Sequence, residues 1–297
     1  MIPQIRVMTM DYDYLSRIRA NLTLYSKKKT ANLLDGGFRS IFRGRSLDFD
    51  DLREYTYGDN VRDIDWKSSS KTGKTLVRRY IAERKHNVLL VGDSGLKMVA
   101  DTDAGEPKEK LAVLTLGSLA YLANRHGDDY AMMMNRGAGI DFSFFKSGEV
   151  HFERIVHRYE TTVGKPTEKN IGDILDYVAD HFRRRMLIFV ITDMEGASHI
   201  DERLLKKLTV QSDVLFLTIS DAYLTGDAAY DVEKQDYEPD FLQQSKRLSR
   251  LERRERMERK EDFLAICKRY EVSHTEIRKE DELIDRIAEL IEAHKGV

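Results

Sequence analysis

Three short, nearly continuous apolar runs constrain the fold of this chain more than any other feature. They cover residues 87–92, 186–191 and 214–219. A strand that faces solvent on one side alternates apolar and polar residues, whereas these runs do not alternate. Strands of this kind are typical of a parallel sheet whose two faces are both covered by helices.

Patterns with helical periodicity separate the apolar runs. The predicted helices are 107–126, 149–159, 171–184, 200–209, 241–270 and 281–294. The further predicted strands are 130–134, 140–145 and 272–277, the first two forming a hairpin-like pair. This alternation predicts an α/β fold with a doubly wound, mostly parallel, Rossmann-like sheet. Functional crevices in such sheets lie at the carboxyl ends of the strands, where Asp93 and Asp193 fall.

The chain before residue 87 lacks this alternation, which places a domain boundary between regions 1–86 and 87–297. A helix is predicted over 9–34, with Gly36 and Gly37 as its stop. Residues 38–87 are predicted to form an irregular, hydrogen-bonded loop and one extended stretch, 76–81. Trp66 is expected to hold this loop by being mostly buried, with Asp65 as a second bracing residue.

The order of residues in segment 47–66 carries a family resemblance. The residues that match it are Arg53, Glu54, Tyr55, Gly58, Asp59, Arg62, Asp65 and Trp66. Their order resembles the signature of the bacterial domain-of-unknown-function family 58. The resemblance covers roughly residues 40–220 and implies a von Willebrand factor A-like domain. It also implies a non-catalytic adaptor that works with a MoxR-type AAA+ ATPase in maturing or remodelling a client protein that the sequence does not specify.

Aspartates at strand ends, with hydroxyls nearby, resemble a hard-cation site. In the von Willebrand factor A-like domain, the matching metal-ion-dependent adhesion site would use Asp93, Thr167 and Asp193. Gly95 and Lys97 stand where the resemblance expects two serine ligands. Our hypothesis is that the site has lost its metal, that the Lys97 ammonium replaces it, and that no cofactor is needed. An intact Mg²⁺ site and simple helix capping by the two aspartates are the alternatives.

Two other classes of function compete with an interaction module. A Mg²⁺-dependent enzyme would use Asp93 and Asp193, but the residue two positions after Asp93 is glycine and offers no acid or base. A nucleic-acid-binding protein would use basic residues of the N-terminal region. These are Lys27, Lys28, Lys29, Arg39, Arg43 and Arg45. Residues 1–87 hold 18 Lys and Arg against 11 Asp and Glu. Attraction to the acidic remainder of the chain is the favoured explanation of this surplus, and nucleic acid is not the expected partner.

The sequence predicts a cytoplasmic protein without membrane insertion. No apolar run approaches the ~20 residues of a membrane-spanning helix, and the first residues do not resemble a signal peptide. The single cysteine, Cys267, has no partner for an internal disulfide and fits a reducing compartment.

Overall fold

The computed structural model of the chain describes residues 13–26, 49–57, 59, 61, 64–80, 86–223, 225, 230–231, 236–237 and 245–295. Its strands are β1 (Phe49–Glu54), β2 (Leu76–Tyr80), β3 (Asn87–Gly92), β4 (Asp129–Arg136), β5 (Gly139–Phe142), β6 (Leu187–Asp193), β7 (Asp213–Ile219), β8 (Tyr230–Asp231), β9 (Asp236–Tyr237) and β10 (Ser273–Ile277). Its α-helices are α1 (Asp13–Ser26), α2 (Trp66–Thr72), α3 (Lys108–Arg125), α4 (Glu149–Glu160), α5 (Ile171–His181), α6 (Met194–Ala197), α7 (Glu202–Thr209), α8 (Lys246–Arg269) and α9 (Leu283–Lys295). Short 3₁₀ helices cover Leu96–Val99 and Glu280–Glu282.

A six-stranded sheet in the order β10–β7–β6–β3–β4–β5 organises the fold. All neighbouring strands are parallel except β4 and β5, which pair antiparallel. Leu90 of the central strand β3 is aligned with Met132 on one side and Phe189 on the other. The predicted doubly wound, mostly parallel α/β sheet is therefore confirmed.

Apolar residues cover both faces of this sheet, which explains why its strands do not alternate with polar residues. On β3, Val88 and Leu90 face one apolar layer, whereas Leu89 and Val91 face the other. The first layer is built by α1, α3, α4 and α9. The second layer is built by α5, α7 and α8. A helix layer therefore shields each face of these strands from water.

Helix α1 belongs to the first of these layers, although it lies within the predicted N-terminal region. Ile18 is completely buried and packs on α3 at Gly117. A Cβ atom at Gly117 would lie 2.2 Å from Cδ1 of Ile18, so the absence of a side chain there allows the two helices to approach closely.

Residues 49–80 contain more regular structure than the sequence indicated. Strands β1 and β2 pair antiparallel as a separate two-stranded sheet, and α2 lies between them in the chain. The predicted irregular loop is therefore wrong for 49–54 and 66–72, whereas the extended stretch at β2 is confirmed. The charged residues of β1 have a low propensity for strands, so the sequence did not predict one there. Pairing with the distant strand β2 outweighs this propensity.

Most other predicted elements are confirmed within a few residues. The helix predicted over 9–34 is helical at 13–26, and the rest of that prediction lies outside the described residues. The helix predicted over 171–184 ends at His181, because Phe182 has extended backbone angles. The Ser245 hydroxyl caps the start of α8 by accepting a hydrogen bond from the Leu248 amide. Residues 241–244 of the predicted helix lie outside the described part of the chain. None of the described helices is both long and apolar enough to cross a membrane.

Candidate functional site at the strand ends

The order in which successive strands join the sheet changes direction between the neighbouring strands β3 and β6. After β3 it continues to β4 on one side, and after β6 it continues to β7 on the other. Diverging connections of this kind leave a crevice at the carboxyl ends of the two strands. Asp93 directly follows β3, Asp193 ends β6, and the Asp93 amide donates a hydrogen bond to the Ile191 carbonyl at 2.9 Å. The two predicted aspartates therefore lie on neighbouring strands at this crevice.

The Asp93 carboxylate is completely buried, and the contacts around it account for both of its oxygens. Oδ2 accepts a 2.8 Å hydrogen bond from the Thr192 hydroxyl. Oδ1 accepts from the Gly95 amide at 3.2 Å and from Nδ2 of Asn135 at 3.4 Å. Buried carboxylates need such partners, because an unpaired charge away from water is strongly disfavoured.

The Lys97 ammonium lies between the two strand-end aspartates. Its Nζ is 2.8 Å from Oδ2 of Asp93 and 3.1 Å from Oδ1 of Asp193. Burial would lower the pKa of Lys97, but the charges of Asp193 and Asp93 outweigh it and raise the pKa above its ordinary value. Lys97 is therefore positively charged at neutral pH and forms part of the site.

A second lysine extends the charge pairing to a third strand. Lys108 is 2% exposed, and its Nζ lies 2.7 Å from Oδ2 of Asp193 while also pairing with Asp221, which follows β7. Burial would raise the pKa of Asp193, but Lys108 and Lys97 outweigh it and lower the pKa to about 2. For Asp221, burial is the largest influence and raises the pKa. The result is an alternating row of charges across the ends of β3, β6 and β7.

Sequence reasoning missed Lys108 and Asp221, although each had a signal. Lys108 is the first residue of α3, after Pro107, and a cation in the first turn opposes the helix dipole unless a carboxylate compensates it. Asp221 follows the end of a predicted apolar strand at the same edge of the sheet as Asp93 and Asp193. The rule that selected those two aspartates would also have selected Asp221.

The remaining predicted site residues lie beside Asp93. A Cβ atom on Gly95 would be 3.3 Å from the Thr167 hydroxyl and 3.6 Å from Oδ1 of Asp93, so a side chain there would enter the site. The Ser94 hydroxyl instead donates to Asn135 Oδ1 at 2.9 Å. Asn135 also donates to the Thr167 hydroxyl at 3.1 Å. The structure thus brings all five predicted residues into one cluster, with Asn135 as an unpredicted link.

These residues do not fit an Mg²⁺ ion as they are arranged. Mg²⁺ needs near-octahedral oxygen ligands at about 2.0–2.1 Å, whereas Lys97 takes the position between the Asp93 and Asp193 carboxylates. A cation held by these aspartates would compete with the Lys97 ammonium for the same place, and the two like charges would repel each other strongly in a buried site. Within the described ranges, no group of three or more His, Cys, Asp or Glu side chains is placed to hold a metal.

The signature residues of the N-terminal region divide into bracing and exposed groups. Arg53 donates to the Thr56 hydroxyl at 2.6 Å and pairs with Asp59. Asp65 is 9% exposed and caps α2 by accepting from the Ser68 amide at 2.9 Å, which agrees with its expected bracing role.

Trp66 is 68% exposed, so the expectation that it holds the loop by being buried is wrong. It is the first residue of α2, and that helix contributes no buried side chain. The Glu54 carboxylate pairs with Lys74. The Tyr55 amide donates a hydrogen bond to the Thr75 carbonyl, with an N–O distance of 2.8 Å. Gly58 and Arg62 lie outside the described residues.

The nucleic-acid alternative depends on six basic residues of the N-terminal region. Lys27, Lys28, Lys29, Arg39, Arg43 and Arg45 all lie outside the described residues.

Sequence comparison identifies relatives over most of the chain. Residues 51–238 match the model of the family described as protein of unknown function DUF58. An uncharacterized protein of Mycobacterium tuberculosis is 25% identical over 215 residues, which span 71% of this chain and 67% of the relative. An uncharacterized protein of Mycobacterium bovis matches with the same identity and coverage.

Structural comparison finds distant likenesses. A von Willebrand factor type A structure from Catenulispora acidiphila aligns with 75% of this chain and 44% of its own, at 10% identity and a TM-score of 0.41. The PilB minor pilin from Streptococcus sanguinis aligns with 75% of this chain and 64% of its own, at 8% identity and a TM-score of 0.41. This chain thus spans less than two thirds of either protein. The SpRpn10 VWA domain aligns with 70% of this chain and 94% of its own, at 8% identity and a TM-score of 0.34. Because the family model covers more than half of the chain, the protein belongs to the DUF58 family.

Proposed function

We propose that this DUF58 protein is a non-enzymatic protein-interaction module with a degenerate metal site. It acts as an adaptor of a MoxR-type AAA+ ATPase in the maturation or remodelling of a client protein. Since the ATPase consumes ATP, the pair works in the cytoplasm. Neither a cofactor nor nucleic acid takes part.

The position of Lys97 carries this proposal. Its ammonium lies within 3.1 Å of both strand-end carboxylates, in the place where a bridging cation would be held. A catalytic site needs an unpaired base, a nucleophile or an open metal position. Here the carboxylates of Asp93 and Asp193 are already engaged by lysines, hydroxyl and amide groups. Such an arrangement favours a rigid binding surface over chemistry.

Family membership supports the choice of partner. The resemblance that begins at the signature residues implies cooperation with MoxR-type ATPases, and the DUF58 match extends this resemblance through residue 238. An adaptor needs one surface for the ATPase and another for the client. The loops at the carboxyl end of the sheet and the outer sides of the helix layers are separate surfaces that could serve these two purposes.

Binding to the ATPase tests the proposal directly. The purified full chain is immobilised, and the MoxR-type ATPase from the same cells is passed over it with Mg²⁺ and ATP. We expect saturable binding. Absence of binding would contradict the adaptor role, and Mg²⁺-dependent turnover of a substrate that Asp193→Asn abolishes would favour the enzyme instead.

The degenerate metal site has a separate test. The wild-type chain should show the same melting temperature with Mg²⁺ as with EDTA. The double variant Gly95→Ser, Lys97→Ser supplies two hydroxyl ligands and removes the competing ammonium, so Mg²⁺ should stabilise it. Adding Asp193→Asn to the double variant is the control and should remove the effect. Mg²⁺ stabilisation of the wild-type protein would contradict a lost metal site.

A further inference from the structure

Helix α2 exposes its largest side chain to water. It contributes no buried residue, and the described structure attaches it to β2 through Ser69. The Ser69 hydroxyl donates to the Asp65 carbonyl at 2.7 Å and accepts from the Leu76 amide at 2.8 Å. Trp66, the one tryptophan of the chain, is 68% exposed. Core packing therefore does not explain why a tryptophan begins this helix.

The outward side of α2 combines this tryptophan with positive charge. Trp66 and Ser70 are four residues apart, as are Lys67 and Lys71, so the two pairs form adjacent rows on one side of the helix. All four side chains are exposed. We name this surface, made of Trp66, Lys67, Ser70 and Lys71, the α2 face.

The charge of the α2 face is not neutralised within the described structure. Nearby ionic groups pair with one another, Arg53 with Asp59 and Lys74 with Glu54. Lys67 and Lys71 form no ion pair with any described residue. Within the described ranges, the face therefore presents an aromatic ring beside two lysines that no described carboxylate pairs with.

We propose that the α2 face is the docking surface for the AAA+ ATPase, and that the ATPase offers an acidic patch with an apolar recess for the Trp66 ring. This inference rests on the proposed function. Tryptophan is enriched among the residues that dominate binding energy at interfaces, and the two lysines select a surface of opposite charge.

Two other occupants fit the α2 face less well. A second copy of the chain would bring the same lysines together across a symmetric interface, where they repel. Nucleic acid is usually held by many phosphate contacts, whereas the α2 face supplies two lysines. A protein surface with a few carboxylates matches the available charge.

The experiment measures ATPase binding by full-length variants. Affinity for the purified MoxR-type ATPase with Mg²⁺ and ATP is compared for the wild-type chain, Trp66→Ala and the double variant Lys67→Glu, Lys71→Glu. The matched controls are Phe144→Ala, an aromatic residue that is 73% exposed elsewhere, and Lys268→Glu, an exposed lysine of α8. We expect Trp66→Ala to weaken binding by about 30-fold or more. The double variant should weaken it similarly and reduce its dependence on salt, while the controls stay within about 2-fold.

Incorporation of 5-fluorotryptophan gives an independent readout, because the chain then carries a single fluorine signal. That signal should shift and broaden when the unlabelled ATPase is added.

The outcomes separate this inference from the proposed function. If the wild-type chain binds the ATPase and both α2 variants bind as the controls do, the docking surface is wrong and the adaptor role stands. If the wild-type chain does not bind, both fail. If it instead retains a fluorescent single-stranded oligonucleotide and Trp66→Ala loses it, the α2 face belongs to a nucleic-acid site.

Discussion

Lys97 compensates two carboxylates that are almost completely removed from water. Asp93 is 0% exposed and Asp193 is 1% exposed. Removing one partner of a buried ion pair leaves the other as an unpaired charge, which is the costly state. Lys108 still compensates Asp193 when Lys97 is absent, so the effect of losing Lys97 should fall mainly on Asp93.

Replacement of Lys97 by methionine should therefore lower the free energy of unfolding by about 3 kcal/mol. Urea denaturation at neutral pH measures this change. Lys207→Met is the matched control, because Lys207 pairs with Asp180 at the surface, and its loss should cost less than about 1 kcal/mol. Equal effects of the two substitutions would show that Lys97 contributes no more than a surface ion pair.

A second single-residue prediction concerns pH and His274 of β10. Burial lowers the pKa of His274 to about 4, and its Nε2 lies 2.8 Å from the Thr218 hydroxyl on β7. In the unfolded chain His274 is protonated below about pH 6.5, whereas in the folded chain it is protonated only below about pH 4. The free energy of unfolding therefore falls as the pH drops between these values.

Between about pH 7 and pH 5, this one histidine should reduce the free energy of unfolding by roughly 2 kcal/mol. Urea denaturation at both pH values measures the loss in the wild-type chain and in His274→Gln, which cannot titrate at this position. The variant should lose roughly 2 kcal/mol less than the wild type. An identical loss in both proteins would assign the pH dependence to other groups.

At the scale of elements, Ile18 is the buried anchor of α1. Its substitution by alanine leaves a cavity against Gly117 and should destabilise the protein by about 3 kcal/mol. Ser16→Ala, at an exposed position of the same helix, should change stability by less than about 0.5 kcal/mol. Thermal and urea unfolding of the two variants measure the difference. A small effect of Ile18→Ala would mean that α1 contributes little to the first layer.

The strands of the central sheet were predictable because burial on both faces leaves a local signal in each apolar run. The β1–β2 pair was not, since residues such as Arg53 and Glu54 carry no alternating pattern and their partners lie more than twenty residues away. Trp66 was misplaced for a related reason. A large aromatic residue is usually buried, but no local pattern shows which side of α2 contacts the rest of the protein.

The aspartates of the candidate site were found because strand ends are predictable and converge at one edge of the sheet. Lys108 was missed because a cation at the start of a helix predicts a compensating carboxylate but not which one. That choice depends on where the start of α3 lies relative to β6 and β7. The same holds for Asn135, which reaches Thr167 only after β4 is aligned with β3. Contacts between distant segments thus set the limit of sequence-based inference here.

At the scale of the whole molecule, the two helix layers share one sheet. Val88 and Leu90 pack into the first layer and Leu89 and Val91 into the second, so the loss of either layer uncovers the same strands. Cys267 lies in the second layer, on the opposite side of the sheet from α1, and is 2% exposed. Burial raises the pKa of its thiol to about 12, so it should react with thiol reagents only when the structure opens.

Labelling of Cys267 can therefore show whether the described layers unfold as one cooperative unit. Ile18→Ala perturbs only the first layer, yet it should accelerate native-state labelling of Cys267 by about 100-fold, which corresponds to the expected 3 kcal/mol loss in global stability. The rate with a disulfide reagent at neutral pH measures this change, and Ser16→Ala should leave it unaltered. If α1 detached by itself, Ile18→Ala would lose helical circular dichroism without faster labelling. Because the strands are common to both layers, we expect the accelerated rate.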